Sequence, residues 1–344
     1  MTTLLSPSYS LQIGSQIWKE QLLRLQLTLT SAPGIDILRA TLPAQAPLDA
    51  DVDDDVELTI NSGEQEEKVF TGTVSVIRRS HASIDVKAVN AGGVLARYRP
   101  AATYENATPA TVVRNLASDA GVTTGSLETG SELAFYVADP CRTAWDHIYR
   151  VSSWCGAMVT VSADNKVESR VVNAATADLA LRHGRELLNF ARNKAIAPLE
   201  TFVVAGESGA GSVSSDDVHR PTTDFFAGNR PDDPSPSAVW SWEPALRTPS
   251  SAATAGAARK RTYGAKADRG TFTAFLQPQL RPGTILELQE LPEGLTEGPV
   301  WIQTVRHSLA PTGAASRVDY LKGGDSFDPL ALLGSLVGSL GGLV

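Results

Sequence analysis

The sequence predicts a mainly β protein with an α+β insert, in which two similar antiparallel β-barrel domains flank a helix–strand–helix–hairpin cassette. Three observations predict this class. Short segments in which apolar and polar residues alternate fill both ends of the chain. Helical spacing of apolar residues is concentrated in the middle. A weak internal repeat relates the two ends, because VELTI precedes VFTGTVSVI by nearly the same distance that ILELQ precedes VWIQTV.

The predicted domain boundaries follow from where these patterns change. Residues 1–100 are expected to form the first β-barrel domain and residues 101–175 the α+β insert. Residues 176–325 are expected to form the second barrel, which contains a long loop at 207–251 rich in Ser, Asp, Pro and Gly. An apolar C-terminal tail, residues 326–344, completes the chain.

Composition excludes several classes of protein. With 344 residues and 42% hydrophobic content the chain can bury two or three cores, and its net charge of −8 argues against nucleic-acid recognition. Cys141 and Cys155 flank one predicted helix and would lie ~20 Å apart, too far for a disulfide. No signal peptide is visible, and the apolar C-terminus is shorter than the ~20 residues that span a bilayer. These features predict a protein without a membrane span that folds in a cytoplasm.

The first region reads as a series of short strands joined by turns. Leucines at every second position from Leu23 to Leu29 alternate with polar residues, as in a strand with one buried face. The turn Ala32-Pro33-Gly34 follows, and four further strands are predicted in IDILRATL, VELTI, VFTGTVSVI and SIDVKAV.

The cassette begins with a helix that carries clear start and stop signals. Thr108 is placed to cap its N-terminus, Pro109 takes the first helical position, and Gly121 ends it. ELAFYVADP then reads as a strand. A second helix is predicted in CRTAWDHIYRVSSWCG, and AMVTVSADNKVESRVV reads as a hairpin that turns at residues 163–165. We expect Trp145 and Ile148 of the second helix to pack against Val112 and Leu116 of the first.

The C-terminal part of the chain is less regular. LNFARNKAIAPLETFVVAG predicts further strands, and residues 252–260 predict an alanine-rich helix. Trp240 and Trp242 lie in the predicted loop, where they are expected to anchor it to a core. ILELQEL and VWIQTVRHSLA predict a closing strand pair.

The sequence contains no pattern of catalytic or cofactor-binding residues. The five histidines are scattered without metal-ligand spacing, and no phosphate-binding or dinucleotide-binding motif opens a helix. Four aspartates between Asp51 and Asp55 lack the glycine and distal glutamate of a calcium loop, so they indicate a charged strand edge. We therefore expect no enzymatic activity, no catalytic or metal site and no cofactor.

The apolar C-terminal tail is the predicted partner interface. Its large side chains are too apolar to remain in water, and the small residues between them would allow close packing against a neighbouring subunit. The predicted interface residues are Leu330, Leu332, Leu333, Leu336, Val337, Leu340 and Leu343.

The order of these features resembles the baseplate hub proteins of contractile-tailed phages and related injection machines, the late control protein D family. VFTGTVSVI is similar to the family's first-barrel strand. TPATVVRNLASDAGV with TAWDHIYRVSSWCGAMV is similar to its central cassette, and LRPGTILELQ with GPVWIQTVRHSL to its closing barrel. The resemblance covers nearly the whole chain through short, degenerate motifs.

The resemblance implies a structural role. The family forms a homotrimeric hub that joins the sixfold tail tube to the threefold central spike, so the implied partners are further copies of the chain, the tail tube or a tube-initiator protein, the spike and other baseplate proteins. The protein would assemble in the bacterial cytoplasm and become part of a virion tail baseplate or an injection particle. The phage, bacteriocin and other injection-system alternatives stay open.

Two functions of other classes remain as alternatives. The chain could be a hydrolase that acts on cell-wall polymer through carboxylates of residues 205–250. It could also be a carbohydrate-binding module of the tail tip that uses Trp240 and Trp242.

Overall fold

The first β region consists of seven strands, and in four of them every second side chain is buried. This computed structural model describes residues 7–63, 65–171, 177–195, 201–207, 221–223, 238–292 and 299–322. The strands of the first region are β1 Ser8–Ile13, β2 Gln16–Trp18, β3 Arg24–Thr30, β4 Ile37–Pro43, β5 Asp55–Asn61, β6 Glu66–Arg79 and β7 Ser83–Val89.

The middle of the chain is a small α+β unit, which we call the insert. A short helix, α1 (Ala91–Leu95), leads into it. Its elements are β8 Ala102–Ala107, α2 Pro109–Asp119, β9 Thr124–Leu127, β10 Leu133–Ala138, α3 Ala144–Trp154, β11 Ala157–Val161 and β12 Val167–Val171. The cassette prediction is confirmed, and two strands are added to it. β8 pairs with β10, and β9 pairs in parallel with β12.

The last region returns to β structure around one long helix. Its elements are β13 Leu179–Arg182, β14 Leu187–Lys194, β15 Thr201–Glu207, β16 Pro221–Thr223, β17 Ala238–Trp242, α4 Pro249–Ala267, β18 Asp268–Phe275, β19 Ile285–Gln289, β20 Val300–Ala310 and β21 Gly313–Lys322. The predicted loop at 207–251 therefore contains two strands and the start of α4. That helix begins earlier than predicted because Thr248 and Ser251 form a capping box.

The strands of the two β regions form one 13-stranded sheet, except for β15, β16 and β17, which form a separate three-stranded sheet. One part of it, the first half-sheet, has the order β3-β4-β7-β6-β5. Another part, the second half-sheet, has the order β14-β18-β21-β20-β19, and all neighbours within both are antiparallel. The strands therefore follow the same path in each half-sheet. The predicted repeat corresponds to β5 with β6 and to β19 with β20.

The half-sheets are joined where the edge strand β3 pairs with the part of β20 that extends beyond β19, and they do not form two separate closed barrels. β20 pairs with β3 from Thr304 opposite Thr30 to Leu309 opposite Leu25. Among the described residues the strand order runs from β14 to β2 without closing into a ring. One hydrophobic core runs through both half-sheets, and the insert has a second core of its own.

Gly72, the glycine of the VFTGTVSVI segment, is required for a steric reason. A Cβ atom at Gly72 would collide with the carbonyl oxygen of Val89 on β7 and would lie 2.8 Å from the Phe70 ring. The backbones of β6 and β7 can come this close only because no side chain stands between them.

Within the described residues, no helix is both long enough and apolar enough to cross a membrane.

Candidate functional site

The histidines of the described part of the chain are structural or exposed. His147 is fully buried, its Nδ1 lies 2.6 Å from the hydroxyl of Tyr136, and its Nε2 lies 2.9 Å from the carbonyl oxygen of Asp139. His307 is also fully buried, and its Nδ1 lies 2.9 Å from Ser316 Oγ. Burial lowers the pKa of both rings, that of His307 to about 4, which keeps them neutral.

The aspartates of the acidic run lie in the loop before β5 and at the start of that strand. Asp54 Oδ2 accepts a hydrogen bond from the Asp51 backbone N–H at 2.8 Å, and Asp55 begins β5. No group of three or more His, Cys, Asp or Glu side chains that could hold a metal occurs among the described residues. The expectation of a sheet edge here was wrong, because β5 is paired on both sides, by β1 and β6.

The predicted helix pair is confirmed and gives the insert its core. Val112 and Leu116 of α2, and Trp145 and Ile148 of α3, are buried in one cluster. Thr143 caps α3 in a capping box with Asp146. The apolar residues that recur at helical spacing in the sequence therefore form the faces along which the two helices pack.

Trp145 also connects the insert to the first half-sheet. Its indole N–H donates to the carbonyl oxygens of Pro33 and Gly34, at 3.2 and 3.1 Å, in the turn between β3 and β4. The Ala32 backbone N–H donates to the Val159 carbonyl oxygen of β11 at 2.9 Å. These bonds fix the insert against the turn of the first half-sheet.

Arg281 belongs to the last region and lies where that region meets the first half-sheet and the insert. Its guanidinium donates to the carbonyl oxygen of Val69 on β6 at 3.1 Å and to that of Val161 on β11 at 3.5 Å. Burial lowers the pKa of Arg281, and the nearby carboxyl of Asp36 partly offsets this. Arg281 is the arginine of the LRPG segment, and nothing in the sequence alone indicates which backbone groups it binds.

Asp36 is buried beside this junction, with 4% of its surface exposed. The Thr30 backbone N–H donates to its Oδ1 at 2.6 Å, and Asn90 Nδ2 donates to its Oδ2 at 2.7 Å. Burial raises the pKa of Asp36 to about 7, although both donors and the Arg281 charge act in the opposite direction.

We expect replacement of Asp36 by Asn to change the pH dependence of stability. The native carboxyl keeps its proton up to about pH 7, whereas the unfolded one loses it near 3.8. The protonated Asp36 carboxyl therefore makes its full contribution to the free energy of unfolding below pH 4. About 4 kcal/mol of this contribution is lost as the pH rises to 7. The stability difference between wild type and Asp36→Asn should fall over this range in urea unfolding at several pH values.

The comparison with the variant is needed because His307 acts in the opposite direction. Its lowered pKa makes the native state gain stability as the pH rises from 4 to 6.5. The two effects partly cancel, so the stability of the wild type changes less with pH than Asp36 alone would cause. A difference between wild type and variant that does not change with pH would contradict the assignment to Asp36.

A charged groove of about 440 Å³ lies between α3 and α4. The buried carboxylate of Glu243 links its walls, accepting bonds from Arg150 Nε and Nη2 at 3.0 and 2.6 Å and from Arg259 Nη2 at 3.2 Å. Arg142 and Lys266 also line the groove, which is therefore mainly basic.

Of the two tryptophans in the predicted loop, Trp242 does not match the expectation. Trp242 ends β17 and is 52% exposed, so it is not a core anchor. The side chain of Trp240 lies outside the described residues. The predicted tail interface also lies entirely outside them.

Comparison with solved structures identifies the fold. A 43 kDa tail protein of prophage MuSo2 from Shewanella oneidensis matches with a TM-score of 0.68 at 13% identity, over 92% of this chain and 98% of that one. A tail protein from Neisseria meningitidis MC58 matches with a TM-score of 0.69 at 11% identity, over 92% and 97%.

A secretion-system protein shares the same fold. The Escherichia coli c3393 protein, a component of the type VI secretion system, matches with a TM-score of 0.59 at 12% identity, over 92% of this chain and 77% of that one. No protein-family profile and no curated protein sequence matches the chain. The chain thus has the mainly β fold of phage tail proteins, a fold that also occurs in a type VI secretion component.

Proposed function

We propose that this protein is a structural baseplate hub, a homotrimeric ring that joins the sixfold tail tube to the threefold central spike of a contractile tail or injection machine. It acts without enzymatic activity and without a cofactor. It assembles in the bacterial cytoplasm and becomes part of the virion tail baseplate or injection particle. Its partners are other copies of itself, the tail tube or a tube-initiator protein, the spike and other baseplate proteins.

The identical strand order of the two half-sheets is the observation that supports this function. One chain presents the arrangement β3-β4-β7-β6-β5 and again the arrangement β14-β18-β21-β20-β19. Three copies around one axis would present six similar half-sheets. Such a ring would bind a sixfold tube through its six half-sheets. It would bind a threefold spike through a surface that occurs once per chain and therefore three times in the ring.

The insert and the tail are two parts of the chain that occur once per copy. The predicted domains, residues 1–100, 101–175 and 176–325, place the insert between the two β domains. The bonds made by Trp145 and Arg281 hold it against both. We infer that the insert and the apolar tail at 326–344 break the sixfold similarity.

The subunit count tests this function. We expect native mass spectrometry of the purified chain to give the mass of three copies, and a reconstruction of the particle to show six half-sheets alternating around a channel. The physical reason is that cyclic closure covers sheet edges that would otherwise pair at random. A protein that stays monomeric at every concentration, and occurs once in the particle, would disprove the hub.

Deletion of the tail tests spike attachment. Removing residues 329–344 should leave the circular dichroism spectrum and the melting temperature unchanged, because this segment is proposed to contact the spike and not the core. Purified particles should then lack the spike. A control that keeps the length, Leu333→Gln with Leu336→Gln, should lose the spike as well, since apolar contact is the proposed cause. Particles that carry the spike after the deletion would contradict the interface.

Carbohydrate binding is the second candidate, and the exposure of Trp242 favours it. An exposed indole can stack on a sugar ring, and the residue that follows it, Glu243, borders the basic groove between α3 and α4. A glycan array separates binding from the hub function. A turbidity assay on peptidoglycan separates the hydrolase alternative, and loss of turbidity would contradict a purely structural role.

A further inference from the structure

The junction between the half-sheets shows how one half-sheet can bind another. β3 is the first strand of the first half-sheet, and β20 is the fourth strand of the second. They pair in an antiparallel manner, with Leu27 opposite His307 and Thr28 opposite Arg306. Leu27 and His307 are both fully buried there. This contact within the chain is a template for a contact between chains.

The strands that correspond to the partners of this template are β14 and β6. In the first half-sheet, Thr28 of β3 faces Ile37 of β4, which in turn faces Val89 of β7. In the second half-sheet, Ala191 of β14 faces Thr271 of β18, which in turn faces Asp319 of β21. Thr73 and Thr304 occupy the same position of the repeat, as the fifth residues of VFTGTV and VWIQTV. Val89 faces Thr73 and Asp319 faces Thr304, so Val89 and Asp319 are equivalent. Ala191 therefore corresponds to Thr28, and Phe190 to Leu27.

The same comparison aligns β6 with β20. Val76 and Arg306 face the equivalent residues Lys87 and Arg317, and Ile77 and His307 face Val86 and Ser316. Val76 therefore corresponds to Arg306, and Ile77 to His307. The bulge in β6 between Val74 and Val76 is included in this alignment.

The side chains at these corresponding positions are less covered than those of the template. Ile77 and Phe190 are half-buried, Ala191 is exposed, and Val76 is 49% exposed. Among the described strands, β14 has β18 as its only ladder neighbour, and beyond Thr73 β6 pairs only with β7. Within the described part of the chain, two strand edges with apolar residues are thus left without a neighbouring strand.

We propose that β14 of one copy pairs in an antiparallel manner with residues Val76–Arg79 of β6 in the next copy. Val76 then lies opposite Ala191 and Ile77 opposite Phe190. This inference rests on the proposed trimer, and it specifies the surface through which the trimer closes. Its partner is a second copy of this chain.

The internal repeat is the reason for assigning this partner. The β20 edge that would bind a β14 strand is already occupied by β3, so the corresponding β6 edge is the one available. Arg78 would face Asn189, so no like charges stand directly opposite each other at that position. The contact joins two different surfaces and therefore repeats around a ring until the ring closes.

Cysteine cross-linking tests the register. In a background of Cys141→Ser and Cys155→Ala, the double variant Val76→Cys/Ala191→Cys is oxidised and run on a non-reducing gel. Cα atoms of opposite residues in antiparallel strands lie about 4.5–5.5 Å apart, within disulfide range. We expect covalent dimers and trimers. The control Val76→Cys/Val137→Cys, whose second site is 48% exposed on the insert, should give none.

Mixing experiments separate this inference from the trimer itself. A Val76→Cys chain mixed with an Ala191→Cys chain should form dimers only, and neither variant alone should cross-link. Dimers of either variant alone would overturn the head-to-tail pairing. A trimer in native mass spectrometry that does not cross-link at 76 and 191 would overturn this edge and leave the hub intact. A chain that remains monomeric at every concentration would overturn both.

Discussion

Ile148→Ala is expected to lower the free energy of unfolding by about 2–5 kcal/mol, the usual range for truncating a fully buried isoleucine. Ile148 has no exposed surface and belongs to the cluster that joins α2 and α3. The substitution leaves a cavity between two helices that are both fixed by capped ends, so little collapse can compensate for it. Urea unfolding monitored by circular dichroism measures the change.

Ile17→Ala is the matched control for this substitution. Ile17 lies on β2 and is 61% exposed, so the same change in side chain should alter stability by no more than about 0.5 kcal/mol. An unfolding midpoint of Ile148→Ala equal to that of the control would show that the helix pair does not contribute to the stability of the fold.

Arg281→Ala is expected to cost about 2 kcal/mol or more. The substitution removes the donor for the carbonyl oxygens of Val69 and Val161, and a buried polar group left without its partner costs about 1–3 kcal/mol. It also removes the positive charge near Asp36, so the pKa of that carboxyl should rise further. Urea unfolding at pH 7 measures the stability, and the pH series described for Asp36→Asn measures the second effect.

Arg97→Ala serves as the control for Arg281→Ala. Arg97 is exposed, so its removal should change stability by no more than about 0.5 kcal/mol. Equal stability of the two variants, together with an unchanged pH profile, would contradict the role of Arg281 in holding the three regions together.

Local sequence patterns were sufficient for many of the elements, although not for β1, β2, β8 or β9. The alternation from Leu23 to Leu29 predicted β3, and the capping residue Thr108 predicted the start of α2. These predictions succeed because a strand or helix imposes its period on residues that are neighbours along the chain. The pairing of α2 with α3 was accessible for the same reason, since both helices have one apolar face.

Some sequence predictions failed because tertiary contacts changed the outcome. Trp242 was expected in a core, yet β17 leaves it exposed, while the neighbouring Glu243 is buried through its bonds to Arg150 and Arg259. A buried carboxylate of this kind depends on two arginines from different helices. Its position cannot be deduced from the composition of the segment around it.

By itself, the sequence determined a mainly β chain with two related ends, an α+β insert and no catalytic motif. Only the tertiary structure decided that the ends form one continuous sheet, that both half-sheets share a strand order, and that the Arg281 charge lies near Asp36 at their junction. The physical reason is distance along the chain. Thr30 and Thr304 lie 3.0 Å apart through their hydroxyls although 274 positions separate them. A periodic pattern shows that a strand needs a neighbour, and only the folded chain shows which strand that neighbour is.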